Sequence, residues 1–161
     1  MDNFKNRTQI TMSIVTERSQ ANYAGNIHGG EIMKLMDSAA GAVAYKYART
    51  NVVTARVDEL QFHLPIYIGA LVTCTATVAY VGSSSMEVIV TVDTEDLRSD
   101  NPPQRALSAY FTMVSLDENG IPSKLPDLKI NTEEERTLYE EGKKRHEEHR
   151  KARIKLKNFK V

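Results

Sequence analysis

The chain has 161 residues, 41% of them hydrophobic, enough for one compact domain with a sizeable core and too few for a second full one. Its 21 lysines and arginines balance 21 aspartates and glutamates, so no overall field draws it to nucleic acid or an anionic membrane. A single cysteine, Cys74, excludes an internal disulfide and a metal site built on thiolates alone. The segment from Met1 to Arg7 has no apolar signal core, and no run approaches the ~18 apolar residues of a membrane span. With cysteine so sparse, a soluble protein of the reducing cytoplasm is expected.

Residues 8–15 alternate, with Ile10, Met12 and Ile14 on one face, and predict a short first strand before the polar loop Glu17-Arg18-Ser19-Gln20. Past Gly29-Gly30 the pattern changes period. Apolar residues at 32, 36, 39, 40, 43 and 47 mark one face of a long helix ending near Ala48, with Glu31, Lys34, Ser38 and Tyr45 opposite. Four extended segments follow, Val52 to His63, Leu71 to Val81, Met86 to Leu97 and Arg105 to Leu116, separated by proline, glycine or serine. They predict one antiparallel meander. A helix followed by consecutive strands gives an α+β fold, because parallel pairs need a crossover between strands, and the helix packs on one sheet face.

Beyond the turn Asp117-Glu118-Asn119-Gly120, the segment Ile121 to Lys129 holds two prolines and predicts an extended linker. Thr132 then suits an N-cap, with a glutamate three residues on, acidic first turns and Lys143, Lys144, Arg145, Arg150, Lys151 and Arg153 loading the later ones. The apolar stripe of this second helix is thin, chiefly Leu138, Ala152, Ile154 and Leu156. It should lie on the surface or against another subunit. Residues 1–130 are therefore expected to form the domain and 131–161 a charged helical extension.

The chemistry points to Asp37. Projected at about 100° per residue, it lies on a flank of the first helix with Met33, Gly41, Ala44 and Ala48, a small and apolar setting. A carboxylate there should be poorly solvated and tuned towards proton transfer or nucleophilic attack; the plainer reading is an aspartate that accepts a hydrogen bond at a subunit interface. Gly29-Gly30 leaves backbone N–H donors uncovered at the positive end of the helix dipole, where an oxyanion can settle, though glycine here also simply permits a tight turn. Gly30 and Asp37 lie seven residues apart, roughly 10 Å along one helix. They cannot grip one carbonyl carbon together. An antiparallel pair of helices in a homodimer brings the glycine end of one chain, with Asn26, to the aspartate of the other.

At these residues the chain resembles the hotdog-fold acyl-CoA thioesterases of the acyl-CoA hydrolase branch. The likeness runs from Arg7 to Leu116, through Gly25-Asn26-Ile27-His28-Gly29-Gly30, Lys34-Leu35-Met36-Asp37, Val53-Thr54-Ala55-Arg56-Val57-Asp58-Glu59, Phe62-His63-Leu64-Pro65-Ile66 and Val81-Gly82-Ser83-Ser84-Ser85. The resemblance implies a sheet wrapped around the long helix, a double-hotdog dimer, and commonly a trimer of dimers. It implies Asp37 as the catalytic carboxylate, Asn26 of the opposing chain positioning water or substrate, the Gly29-Gly30 backbone polarising the thioester carbonyl, and His28 lining the mouth. Gly82, Ser83, Ser84 and Ser85 match the loop that contacts coenzyme A. Relatives commonly carry an arginine in that loop and this chain has none, so Arg98, Lys124 or a tail cation is expected to meet the phosphates.

Thioester hydrolysis suits a single carboxylate, because the departing thiol, with a pKa near the 8.5 or so of cysteine, scarcely needs an acid. Asp37 either activates water or attacks to form a mixed anhydride. No cofactor is expected, coenzyme A being part of substrate and product. The competing readings are a non-catalytic acyl-CoA or nucleotide sensor with a partner-recruiting tail, and a hotdog dehydratase, disfavoured because those enzymes place a catalytic histidine and acid differently. Cys74 is read as inert core. His146 and His149 are read as part of a solvated helix face rather than metal ligands, and Arg56, Asp58 and Glu59 as charges paired near a dimer interface.

Overall fold

A computed structural model describes residues 5–158, with side chains described for 7–153. A one-turn helix α1 (Lys5–Thr8) leads into β1 (Gln9–Val15), then α2 (Gly29–Ala48), β2 (Asn51–Phe62), β3 (Leu71–Val81), β4 (Ser85–Glu95), β5 (Gln104–Leu116) and α3 (Glu133–Asn158). The five strands form one antiparallel sheet in the order β1-β3-β4-β5-β2. The meander expected over all four long segments therefore holds only for β3, β4 and β5. β2 crosses to the far edge and pairs with β5, because alternation fixes which face a strand buries but not which neighbour it takes.

One face of the sheet wraps α2, the arrangement expected of a hotdog fold. β3 turns Val72, Cys74, Ala76 and Val78 inward, β4 Met86, Val88, Val90 and Val92, and β5 Leu107, Ala109, Phe111 and Met113. Against them α2 buries Ile32, Met36, Ala39, Ala40, Val43, Ala44 and Tyr47. Alanine at three of these positions lets the helix axis approach the strands closely. Each larger aliphatic side chain contributes about 2 kcal/mol of burial. Ala44, expected on the flank with Asp37, belongs to this core, and Cys74 lies in it as read, with burial pushing its thiol up to about 12.

The opposite face is polar along β1 and β3, where Ser13 and Thr73, and Thr11 and Thr75, pair through their hydroxyls at 3.1 and 3.4 Å. α3 lies across this outer face. It opens with the expected capping box: Thr132 Oγ1 accepts from Glu135 N–H (3.1 Å), and Glu135 Oε2 accepts from Thr132 N–H (3.2 Å). Its attachment differs from the thin apolar stripe expected, two members of which, the side chains of Ile154 and Leu156, lie outside the described residues, as does the start of the N-terminal segment at 1–4. Arg145 forms a two-pronged pair with buried Glu87 (2.7 Å) and stacks 3.7 Å above the Tyr110 ring. Tyr80 meets both Tyr139 and His146. Gly142 makes this approach possible, since a Cβ there would lie 2.7 Å from Tyr80 Cβ. His146 and His149 thus face the sheet rather than solvent, with His149 3.6 Å from Asp58. Among the described residues, no helix is long and apolar enough to cross a membrane.

Candidate active site

The glycine end of α2 and its aspartate occupy separate places in one chain. At the glycine end, a cavity of about 370 Å³ is lined by Asn22, Asn26, Ile27, Gly29, Ile32 and Phe62, among others. Asp37 is not part of it. Eight residues along the helix, roughly 12 Å from Gly29, Asp37 accepts a 2.7 Å hydrogen bond from Thr54 Oγ1 of β2. The carboxylate is exposed in the single chain, so the dry flank expected around it is not supplied by this chain alone. Its second oxygen has no hydrogen-bond partner among the described residues.

At the helix start, His28 is the N-cap, its Nδ1 accepting from Gly30 N–H at 2.9 Å, while its carbonyl accepts from Glu31 N–H. The imidazole nitrogen must be unprotonated to do so. The Gly30 donor is therefore occupied, and Gly29 N–H is the one left without a partner among the described residues. Of the two glycines expected to present donors, only the first does so here. Phe62 lies directly over it, within 2.9 Å of where a Gly29 Cβ would stand.

Asn22, which local sequence pattern does not single out, is a second amide at this end. Its Oδ1 accepts from the backbone N–H of Ala24 (2.9 Å) and Asn26 (3.2 Å). Two donors on the oxygen fix the amide's orientation and leave its NH2 group free beside the cavity. Asn26 joins the same wall, its backbone held by Asn22 and by a bridge to Tyr67. Thr54 is equally inconspicuous in the sequence. A threonine on a strand reads as ordinary β-propensity, and only the α2–β2 packing reveals its bond to Asp37.

The β3–β4 loop, Gly82 to Ser85, stands at the Asp37 end of the molecule. Val114 of β5 is opposite both Ser85 and Val53, and Met113 opposite both Met86 and Thr54. The loop is thus two strand spacings, roughly 10 Å, from the backbone that holds Thr54. Each chain presents a carboxylate with a serine loop at one level, and an amide-lined cavity at another.

β2 forms an open edge of the sheet and carries Val53 and Val57, each 41% exposed, and Phe62, 57% exposed. Arg56 pairs with Asp58 at 2.6 Å on the same strand. Register shifts fall between Thr54 and Arg56 and between Asp58 and Gln61, where Glu59 has φ of 51°.

The thioesterase superfamily model matches residues 24–100. A hexameric acyl-CoA thioesterase solved without ligand is 31% identical and superposes with a TM-score of 0.86, over 91% of this chain and 94% of the other. The chain belongs to the thioesterase superfamily. The cytosolic acyl coenzyme A thioester hydrolase of Mus musculus is 42% identical over 123 residues, which are 76% of this chain. The chain spans about a third of that relative's length, 32%. An acyl-CoA hydrolase of Staphylococcus aureus, solved with butyryl coenzyme A, coenzyme A and coenzyme A disulfide, is 29% identical, with a TM-score of 0.82 over 95% of this chain and 90% of its own. Alanine variants of one asparagine, one aspartate and one threonine of that enzyme have been characterised; its aspartate follows the asparagine by 15 residues and the threonine follows the aspartate by 17.

Proposed function

We propose that this superfamily member is an acyl-CoA thioester hydrolase whose active sites are each shared between two chains. The observation that carries the reading is the pairing of Asp37 with Thr54 at 2.7 Å, apart from the unpaired Gly29 N–H. Thr54 follows Asp37 by 17 residues and Asn22 precedes it by 15, the spacings of the characterised threonine and asparagine in the Staphylococcus aureus enzyme. That spacing favours Asn22 over Asn26 for the positioning amide. Asn26 then acts through its backbone, by donating to Asn22 Oδ1.

The exposed apolar edge of β2 supports a homodimer in which two such edges meet antiparallel, setting the Gly29 end of one chain against Asp37 of the other. Burial of Val53, Val57 and Phe62 in that contact also excludes water from the carboxylate. The solved hexameric relative supports a trimer of such dimers. Residues 1–130 form the hotdog domain in this reading, and 131–161 an extension whose helix α3 braces the outer face through residues such as Tyr139, Gly142 and Arg145.

In the composite site, Gly29 N–H and the free Asn22 amide hold the thioester oxygen as it gains charge. Asp37 works through the oxygen that Thr54 leaves free, either taking a proton from water or attacking the carbonyl carbon. The Thr54 bond fixes the carboxylate's rotamer in both routes. His28, expected to line the mouth, instead caps the helix start by accepting from Gly30 N–H and is not among the residues that line the cavity. Coenzyme A lies along the Gly82-to-Ser85 loop and leaves as the thiolate, so it is consumed as substrate and released as product rather than retained as a cofactor.

The test is steady-state thiol release across acetyl- to palmitoyl-CoA. Asp37→Ala is expected to lower kcat by roughly 10²- to 10⁴-fold, and Asn22→Ala to fall further than Asn26→Ala. Because each site draws on two chains, mixing inactive Asp37→Ala with inactive Asn22→Ala subunits should restore roughly a quarter of wild-type activity, from the hetero-pairs with one intact site. No thiol release by the wild type sinks the hydrolase reading, and no recovery on mixing sinks the shared site.

A further inference from the structure

α3 is covered by its own chain only as far as His149. Its sheet-facing side meets Tyr80 of β3 through Tyr139 and His146, Glu87 of β4 and Tyr110 of β5 through Arg145, and Asp58 of β2 through His149. Those contacts step across the sheet to its open edge. The helix does not stop there. It continues from His149 to Asn158, roughly 13 Å at 1.5 Å per residue. Ala152 and Arg153, which follow His149 on the same side at helical spacing, are exposed, and no described strand of this chain lies past β2 to cover them.

In the shared-site dimer a second copy of the chain occupies that space. Phe62 lies over Gly29, and Thr54 holds Asp37, so bringing Gly29 of one chain to Asp37 of the other sets position 62 of one β2 beside position 54 of the other. Antiparallel strands paired in this way have their two-fold axis at position 58. Asp58, the residue at the axis, is the one that meets His149. Each α3 therefore reaches the axis and carries its last turns over the other chain's half of the joined sheet. Two helices that cross a two-fold axis on one side of a sheet run antiparallel and present the same surface to each other.

The charges about His149 are self-complementary under that operation. Glu147 and Glu148 precede it, Arg150 and Lys151 follow it, and all four are exposed in the single chain. Reversal about a point near His149 lays the acidic pair of one helix beside the basic pair of the other, twice over.

We propose that α3 clasps a second copy of this chain: near and beyond His149 it packs against the partner's α3, with Glu147 and Glu148 beside the partner's Arg150 and the partner's Lys151, and reciprocally. The proposal rests on the dimer in which two β2 edges meet, and adds to it an interface on the outer face of the sheet, away from Asp37 and the substrate. Exposed ion pairs add little strength singly. Arranged so that any other register sets like charges together, they fix orientation and partner.

The experiment uses two full-length chains, Glu147→Lys/Glu148→Lys and Arg150→Glu/Lys151→Glu. Either chain paired with itself sets like charges together at both contacts, whereas one of each restores opposite charges at both. Mixed, left to exchange subunits at low salt and weighed by native mass spectrometry, they should favour pairs of unlike chains about tenfold over chance, and about 1 M salt should erase the preference. A single chain carrying all four substitutions should assemble with itself as the wild type does. Random mixing at low salt overturns the clasp, and thiol release from acyl-CoA by those assemblies leaves the hydrolase reading standing. Ordered mixing, in a protein whose wild type releases no thiol, upholds the clasp and sinks the hydrolase reading. A monomeric wild type sinks the clasp and the shared site together.

Discussion

The two faces of the sheet are covered by helices of opposite character. α2 meets the inner face through a continuous apolar seam of Ile32, Met36, Ala40 and Val43. α3 meets the outer face through an ion pair, stacked rings and a glycine, with Glu87 only 5% exposed beneath Arg145. The first contact is non-directional and spread over many side chains, so it tolerates small changes of shape. The second concentrates its energy in a few groups that must be placed correctly, and removing one of them exposes the desolvation cost of its partner.

The largest expected effect sets these contacts against each other. Met36→Ala leaves a cavity in the inner core and should cost about 4 kcal/mol of global stability. Arg145→Ala should cost about 3 kcal/mol, chiefly by leaving Glu87 buried without a counter-charge. The two losses differ in place. Cys74, whose thiol points into the inner core, reports opening of that face through its reactivity towards a thiol reagent. Met36→Ala should speed its labelling, whereas Arg145→Ala should release α3 to hydrogen exchange with Cys74 still protected. Concerted loss in both variants would show that the faces unfold as one unit.

A smaller change sharpens the outer contact. Gly142→Ala forces a methyl to within 2.7 Å of Tyr80 Cβ and 3.0 Å of Glu87 Oε1. The stem of a tyrosine on a central strand cannot move aside, so α3 must lift, at a cost of about 2 kcal/mol. Hydrogen exchange of α3 before and after the substitution measures it. Unchanged protection would mean that the helix is held elsewhere along its length.

This contrast also explains what the sequence discloses. The inner face is legible because burial imposes a period: 3.6 along α2 and 2 along β3 to β5, so Ile32, Met36, Val72 and Val90 are all recoverable from spacing. The outer face is not, because Glu87 and Arg145 are 58 residues apart and nothing in the local pattern pairs them. The displacement of β2 to the edge beside β5 is hidden for the same reason, since pairing across the sheet is non-local. In the candidate site, Asp37 stands out as an acid on an apolar segment and Gly29-Gly30 as a helix entrance. Thr54 does not, since its role depends on how β2 crosses α2, nor does Asn22, which sits in a polar loop where asparagine is ordinary turn chemistry.

The smallest effect tests whether the outer contact responds to pH while the inner one does not. His146 packs on Tyr80, and burial, reinforced by the Arg150 cation and His149, holds it below the ordinary histidine value despite the nearby Glu87 and Glu147 carboxylates. An unfolded chain takes up that proton near pH 6.5, where the folded chain still resists it. Below that point the unfolded state binds more protons, so stability contributed by neutral His146 is complete above about pH 6.5 and is lost as pH falls through it. Solvent screens a ring that is only partly covered, which keeps the loss small. Hydrogen exchange of α3, corrected for the intrinsic rate, should therefore show weakening protection from pH 7.5 to 5.5, and His146→Gln should flatten that trend. Persistence of the trend in His146→Gln would move the sensitivity off this residue, and an equal trend in Cys74 labelling would show that it belongs to the whole fold.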